Sequence, residues 1–184
     1  METRRLFIAV PIPDNLKNFF QQQQPEFTDE SIRFVPNDNL HLTVHFLGEV
    51  PTNQLENITS VLQNVANSTA SFTLELERLE PGPKPRSPRL IWARFAAHPA
   101  FRQLCTAITA QLGISVSNQD DYIPHITLAR FRKGAPKPLS FPEVNVSAQK
   151  IILPVSSVAL WQSELKSPHP IYRILVMYPL NRPE

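Results

Sequence analysis

Apolar and polar positions divide the chain into short strands and three helices. Residues 5–12 alternate weakly and predict a first strand. Pro13 and Asp14 mark a helix start, with Leu16, Phe19 and Phe20 on one helical face, and the glutamine run 21–24 before Pro25 is where that helix fades. A short strand over 31–35 and a stronger one over 40–47 follow. Pro51 and Thr52 open a second helix whose apolar residues Leu55, Ile58, Leu62 and Val65 keep the 3.6-residue period. Over 71–79, Phe72, Leu74 and Leu76 alternate with Thr73, Glu75 and Glu77, the mark of a half-buried strand. A proline-rich loop over 81–88 leads to a strand over 90–95. A third helix starts at His98 and Pro99, carries Phe101, Leu104, Ile108 and Leu112 in phase, and has Gly113 as its C-terminal stop. A strand over 122–131, a loop over 133–142 and further strands within 144–161 and 171–180 complete the pattern. About three helices among eight or more strands in mixed order predict an α+β fold with mainly antiparallel sheets, not a doubly wound parallel sheet.

Inside this order lies an echo. Residues 40–47 read Leu-His-Leu-Thr-Val-His-Phe-Leu, and residues 124–131 read Pro-His-Ile-Thr-Leu-Ala-Arg-Phe. Both contain His-apolar-Thr-apolar, and each copy lies on a predicted strand that follows a strand and a helix. The repeat predicts two similar lobes related by a pseudo-two-fold within a single domain spanning residues 1–184. Successive strand residues point to opposite faces, so His41 and Thr43 share one face, and His125 and Thr127 share another, while the apolar residues between them turn inward. A single His-x-Thr is usually no more than the wet face of a sheet. A chain of this length should hold about 0.2 such matches by chance, so two on matching strands point to a site. Strict alternation also puts His45 on the His41 face, about 13 Å along the strand at ~3.3 Å per residue, where a rim role is expected.

Composition narrows the chemistry. With 42% hydrophobic and 18% charged residues the chain is neither disordered nor membrane-like, and its longest apolar runs fall short of the ~20 residues that span a bilayer. The charged N-terminus lacks an apolar stretch long enough for a signal peptide, which argues for a cytoplasmic location. The single cysteine, Cys105, leaves no partner for a disulfide and no thiolate cluster for zinc. The net charge of +2 tolerates a polyanionic partner without demanding one. There are 19 prolines and only 4 glycines, with no glycine-rich phosphate loop, so any phosphate must be held mainly by side chains.

Two imidazoles and two hydroxyls, with no carboxylate pair in the motif, suit phosphoryl chemistry by acid–base catalysis. One imidazole can be neutral and the other protonated near neutrality, one taking a proton from water and the other giving one to a leaving oxygen. The threonine hydroxyls can donate to non-bridging phosphate oxygens. Neither histidine has neighbours spaced as metal ligands, and no Gly-x-Ser-x-Gly elbow supports a serine hydrolase. Lys84, Arg86 and Arg89 flank the proline-rich loop and could steer a polyanion; a solvated loop accounts for them equally well. Trp92 and Trp161 are expected in the core or between lobes, His98 at a helix cap, His169 in a loop, and Cys105 as a small packed apolar group.

The same residues resemble the 2H phosphoesterase superfamily, and within it the RNA 2′,3′-cyclic phosphodiesterases first described as 2′-5′ RNA ligases. The resemblance runs nearly full length: Arg5 to Lys17, Arg33-Phe34-Val35-Pro36, the stretch 39–50, Pro88-Arg89-Leu90-Ile91-Trp92, the stretch 124–130, Tyr172, and Tyr178-Pro179-Leu180. It implies a two-lobed α+β fold with an active-site cleft between the lobes. It implies opening of a terminal 2′,3′-cyclic phosphate to a 2′-phosphate, on RNA ends or cyclic nucleotides. No metal, cofactor or membrane is expected to take part, and a monomer is the expected state. His41 would be the proton donor and His125 the proton acceptor; Thr43, Thr127 and Arg130 would bind phosphate. Nothing in the sequence itself distinguishes the two histidines. Arg130 falls on the wrong face under strict alternation and needs a bulge or strand end to reach the site. The 81–88 loop departs from the Phe-Pro found near this point in many relatives, which bears on base preference, not on chemistry. The same groups would serve 2′-5′ ligation, the reverse reaction, and a nucleotide-binding module without turnover would keep the fold.

Overall fold

A computed structural model describes residues 2–27, 30–83, 88–115, 122–132 and 150–182. Lys84, Arg86, the expected loop at 133–142 and the first part of the expected 144–161 strand region lie outside them.

The elements in chain order are β1 (Thr3–Pro11), α1 (Asp14–Gln23), β2 (Ile32–Phe34), β3 (His41–Pro51), α2 (Leu55–Ser68), β4 (Phe72–Gly82), β5 (Leu90–Phe95), α3 (Pro99–Gln111), β6 (His125–Phe131), β7 (Ile152–Val155), β8 (Ser157–Glu164) and β9 (Ile171–Pro179). Each helix starts where local chemistry favours it. In α1, Asp14 sits in the first turn, where a carboxylate complements the helix dipole, and pairs with Lys17 at 3.0 Å. In α3, Pro99 occupies the first turn and His98 caps it, its Nδ1 accepting from the Ala100 N–H at 3.2 Å. Gly113, with φ of +68°, then turns the chain in a conformation that side chains with a Cβ disfavour. The second helix begins at Leu55, where its apolar spacing begins and later than the start expected at Pro51 and Thr52, because Thr52–Gln54 form a single 3₁₀ turn first.

All the strand pairs are antiparallel, and the sheet runs in the order β7-β4-β5-β6-β3-β1-β8-β9, with β2 added alongside β6. This is an α+β fold: a curled antiparallel sheet flanked by few helices. The order has an internal two-fold logic. β1-α1-β3 and β5-α3-β6 repeat the same strand–helix–strand unit, and within each the two strands pair. The two motif strands, β3 and β6, therefore end up as central neighbours. They share one residue pair, Leu42 opposite Ile126. Both side chains are 0% exposed and lie in the core with Leu6, Ile8, Val10, Leu62, Val65, Leu104 and Ile108. The halves are thus continuous through one sheet and one apolar core. No helix among the described residues is long and apolar enough to cross a membrane.

Because Leu42 is packed on all sides, Leu42→Ala should lower the unfolding free energy by about 2–5 kcal/mol. Leu165→Ala, at a side chain 74% exposed, should stay within about 0.5 kcal/mol. Chemical denaturation of both variants checks the contrast.

Candidate active site

The Leu42–Ile126 pair fixes the face of the sheet on which the candidate residues lie. With those two side chains buried, strand alternation turns His41 and Thr43 of β3, and His125 and Thr127 of β6, to the opposite face. An antiparallel register centred on that pair sets position 41 beside 127 and position 43 beside 125. Each histidine therefore neighbours the other motif's threonine. All four of these residues are half-buried.

Both motifs end in the same irregularity. In the β1–β3 register, Ile8 pairs with His45 and Ala9 with Thr43, which leaves Val44 as an extra residue. In the β5–β6 register, Ile91 pairs with Ala129 and Trp92 with Thr127, which leaves Leu128 as an extra residue. A bulge at the fourth position of each motif shifts the alternation by one. The shift explains two placements. Arg130 returns to the motif face and lines the same cavity as Thr127 and His41, the geometry that strict alternation denied it. His45 leaves that face, contrary to the simple strand reading, and Phe46 replaces it, 50% exposed and lining the cavity.

The two imidazoles are held alike. His41 Nδ1 lies 2.7 Å from the Asn39 carbonyl oxygen and His125 Nδ1 2.8 Å from the Ile123 carbonyl oxygen. A carbonyl oxygen only accepts, so Nδ1 carries the proton on both rings and Nε2 is the atom left to take or give one. Each ring also rests on aromatics from neighbouring strands. Around His41 stand Phe7 at 4.7 Å between centroids, Tyr172 at 5.4 Å edge-on and Trp161 at 5.9 Å. Under His125 lies Trp92, stacked at 4.0 Å. The Trp92 indole is in turn backed by Gly82: a Cβ there would stand 2.6 Å from the ring.

This packing sets the electrostatics. Burial lowers the His41 pKa to about 4, against the Asn39 carbonyl bond, which favours the charged ring; the Arg130 guanidinium and His125 lower it further. Burial also lowers His125, opposed by the Ile123 carbonyl. In the free protein both rings are therefore neutral at pH 7. The adjoining cavity, of about 590 Å³, is lined by His41, Thr43, Thr127 and Arg130 but not by His125. It is thus a pocket on one side of the histidine pair, of a size typical for small-molecule sites.

Some residues gained a place that periodicity could not give them. Phe7 and Tyr172 frame His41; Trp92, expected in the core or between lobes, supports His125. Arg33, Phe34 and Arg132 line the cavity, as do His169 and its flanking prolines, which sequence reading left in a loop. The segment carrying them is tied down twice: Asn39 Nδ2 donates to the Pro170 carbonyl at 2.7 Å and Arg33 to the Pro168 carbonyl at 2.9 Å. The family resemblance did contain Phe7, Arg33, Trp92 and Tyr172, but as matched letters without roles. Trp161 is buried beside Phe7 as expected, and Cys105 is packed in the core with its thiol pushed up to about 12. Among the described residues, no three His, Cys, Asp or Glu side chains gather as a metal site.

Comparison with known proteins gives the family and agrees with the fold. A family model described as the 2′-5′ RNA ligase superfamily matches residues 12–166. An RNA 2′,3′-cyclic phosphodiesterase of Thermus thermophilus is 30% identical, covering 96% of this chain and 90% of the relative. One from Methanothermobacter thermautotrophicus is 26% identical, covering 96% and 98%. A crystal structure from Thermus thermophilus superposes with a TM-score of 0.85 at 30% identity, covering 98% of this chain and all of that one. LigT of E. coli, in complex with 3′-AMP, superposes with a TM-score of 0.77 at 26% identity, covering 98% and 100%.

Neutral, buried imidazoles make stability depend on pH in a definite direction. The unfolded chain binds protons on these histidines near 6.5, whereas folded His41 binds one only near 4. Stability from this source is complete above pH 6.5 and is lost as pH falls toward 4. Denaturant midpoints at pH 7, 5.5 and 4.5 should decline in that order, and the decline should be smaller in His41→Gln.

Proposed function

The chain belongs to the 2′-5′ RNA ligase superfamily, and we propose that it hydrolyses terminal 2′,3′-cyclic phosphates, on RNA or nucleotides, to 2′-phosphates between His41 and His125, without a metal ion. The carrying observation is the matched presentation of two imidazoles. Each is fixed by a carbonyl on Nδ1, each offers Nε2 on the same sheet face, and each is one residue along its strand from the shared Leu42–Ile126 pair.

The cavity supports a division of labour that the sequence could not supply. In an in-line displacement, the attacking water and the departing oxygen occupy opposite sides of phosphorus. The departing O3′ remains on the nucleoside, so the acid stands on the nucleoside's side and the base on the water's side. The nucleoside-sized cavity adjoins His41 and not His125. His41 therefore donates to O3′ from Nε2, and His125 Nε2 takes the water proton as the new P–O bond forms and the P–O3′ bond breaks. The O2′ ester survives, giving a 2′-phosphate. Thr43 and Thr127 donate to the non-bridging oxygens and Arg130 balances their charge. At turnover's end His41 is neutral and His125 protonated; solvent exchange resets both.

The low pKa of His41 fits this role once substrate is present. A bound phosphate anion favours the protonated ring and offsets the burial that disfavours it, so binding is coupled to uptake of a proton. A base of relatives named RNA 2′,3′-cyclic phosphodiesterase at 26% and 30% identity supports the same reaction.

The test is a 2′,3′-cyclic mononucleotide incubated with the protein in EDTA. A 2′-phosphate should form at an undiminished rate; a requirement for divalent metal, or a 3′-phosphate product, would sink the mechanism. His41→Ala and His125→Ala should each lose about 10²–10⁴ in turnover with unchanged circular dichroism. A variant keeping near-native turnover removes that histidine from the scheme.

A further inference from the structure

One end of the cavity carries more positive charge than a single cyclic phosphate uses. Arg33 and Arg130 face each other as Cα partners on β2 and β6. The Arg132 main-chain N–H bonds the Ser31 carbonyl at 2.7 Å, so Arg132 extends the same ladder. All three arginines line the cavity. Like charges directly opposite on neighbouring strands are destabilising unless something between them is negative. Elsewhere in the sheet that need is met: Arg4, Arg5, Arg78, Arg94 and Arg173 each have a glutamate oxygen within 3.9 Å. No described carboxylate forms an ion pair with Arg33, Arg130 or Arg132.

A 2′,3′-cyclic phosphate is a diester with one negative charge. Arg130 and the two threonines satisfy it, which leaves Arg33 and Arg132 without an anion. Arg33 is not a loose surface side chain: its guanidinium is anchored at 2.9 Å to the carbonyl of Pro168, which also lines the cavity, with its other N–H groups still to be used. The exposed Phe46 ring and the partly buried Phe34 ring line the same space and offer apolar faces to bases.

We propose that Arg33 and Arg132 form a second phosphate subsite, which takes the phosphodiester on the 5′ side of the terminal nucleotide, so that the cleft reads oligonucleotide ends in preference to mononucleotides. The inference rests on the hydrolytic reading above and adds to it a subsite and a length preference. Both arginines are exposed, so their removal leaves the core intact.

The experiment compares kcat/KM for a 2′,3′-cyclic mononucleotide and for a dinucleotide ending in the same cyclic phosphate. The native protein should favour the dinucleotide by on the order of 10- to 100-fold, the range of a charge-assisted contact. That ratio should collapse toward one in Arg33→Ala and, separately, in Arg132→Ala. The dependence of log(1/KM) on log salt should be steeper for the dinucleotide by about 0.7 per phosphate held, and both variants should lose the difference. A native ratio near one, or a ratio that both variants keep, overturns the subsite while leaving hydrolysis standing. If neither substrate turns over, hydrolysis itself fails, and calorimetric affinities for the two compounds then decide the subsite by the same ratio.

Discussion

The pairing of Leu42 with Ile126 is the constraint on which the rest depends. Among the described residues it is the one pair through which β3 and β6 are registered, and both side chains are fully buried. Its burial decides which face of each strand points to the core, and therefore which face carries the histidines and threonines. A slip of one residue would turn the whole polar set inward. Apolar packing thus places the candidate residues: two aliphatic side chains in the core set two imidazoles on the opposite face of neighbouring strands.

Around that point the site is assembled by departures from regular strand geometry. The bulges at Val44 and Leu128 exchange the faces of the residues beyond them, bringing Phe46 and Arg130 to the cavity. The carbonyls of Asn39 and Ile123, each two residues before its histidine, choose the tautomer. Aromatic rings from β1, β5, β8 and β9 hold the rings in place and exclude water, which is why both histidines are neutral in the unliganded protein. Each of these features occurs on both sides of the pseudo-two-fold, so the two halves solve one positioning problem in one way.

The sequence made much of this legible, and for identifiable reasons. Amphipathic helices and alternating strands announced the α+β class because period alone carries that information. The doubled His-x-Thr exposed the pseudo-symmetry and all four motif residues because covalent spacing within a strand fixes faces. What stayed hidden depends on partners distant in the chain. The bulge at Leu128 could be demanded for Arg130 but not located. The bulge at Val44 was not foreseen, so His45 was placed on the wrong face. Trp92 under His125, and the 168–170 segment across from Arg33, are set by strand pairing and tertiary hydrogen bonds that no local pattern encodes. The cavity's bias toward His41 likewise exists only once the sheet has curled.

The two bulges also have a consequence for direction. An RNA strand has a chemical polarity, 5′ to 3′, whereas a two-fold scaffold has none and would accept a strand in either sense. A protein built on such symmetry can read a polar chain only where its halves differ. The corresponding places beyond the bulges hold Phe46 in one half and Arg130 in the other, an apolar ring against a fixed cation. On the proposed reading, that mismatch is one of the differences by which the cleft could tell one sense of a strand from the other.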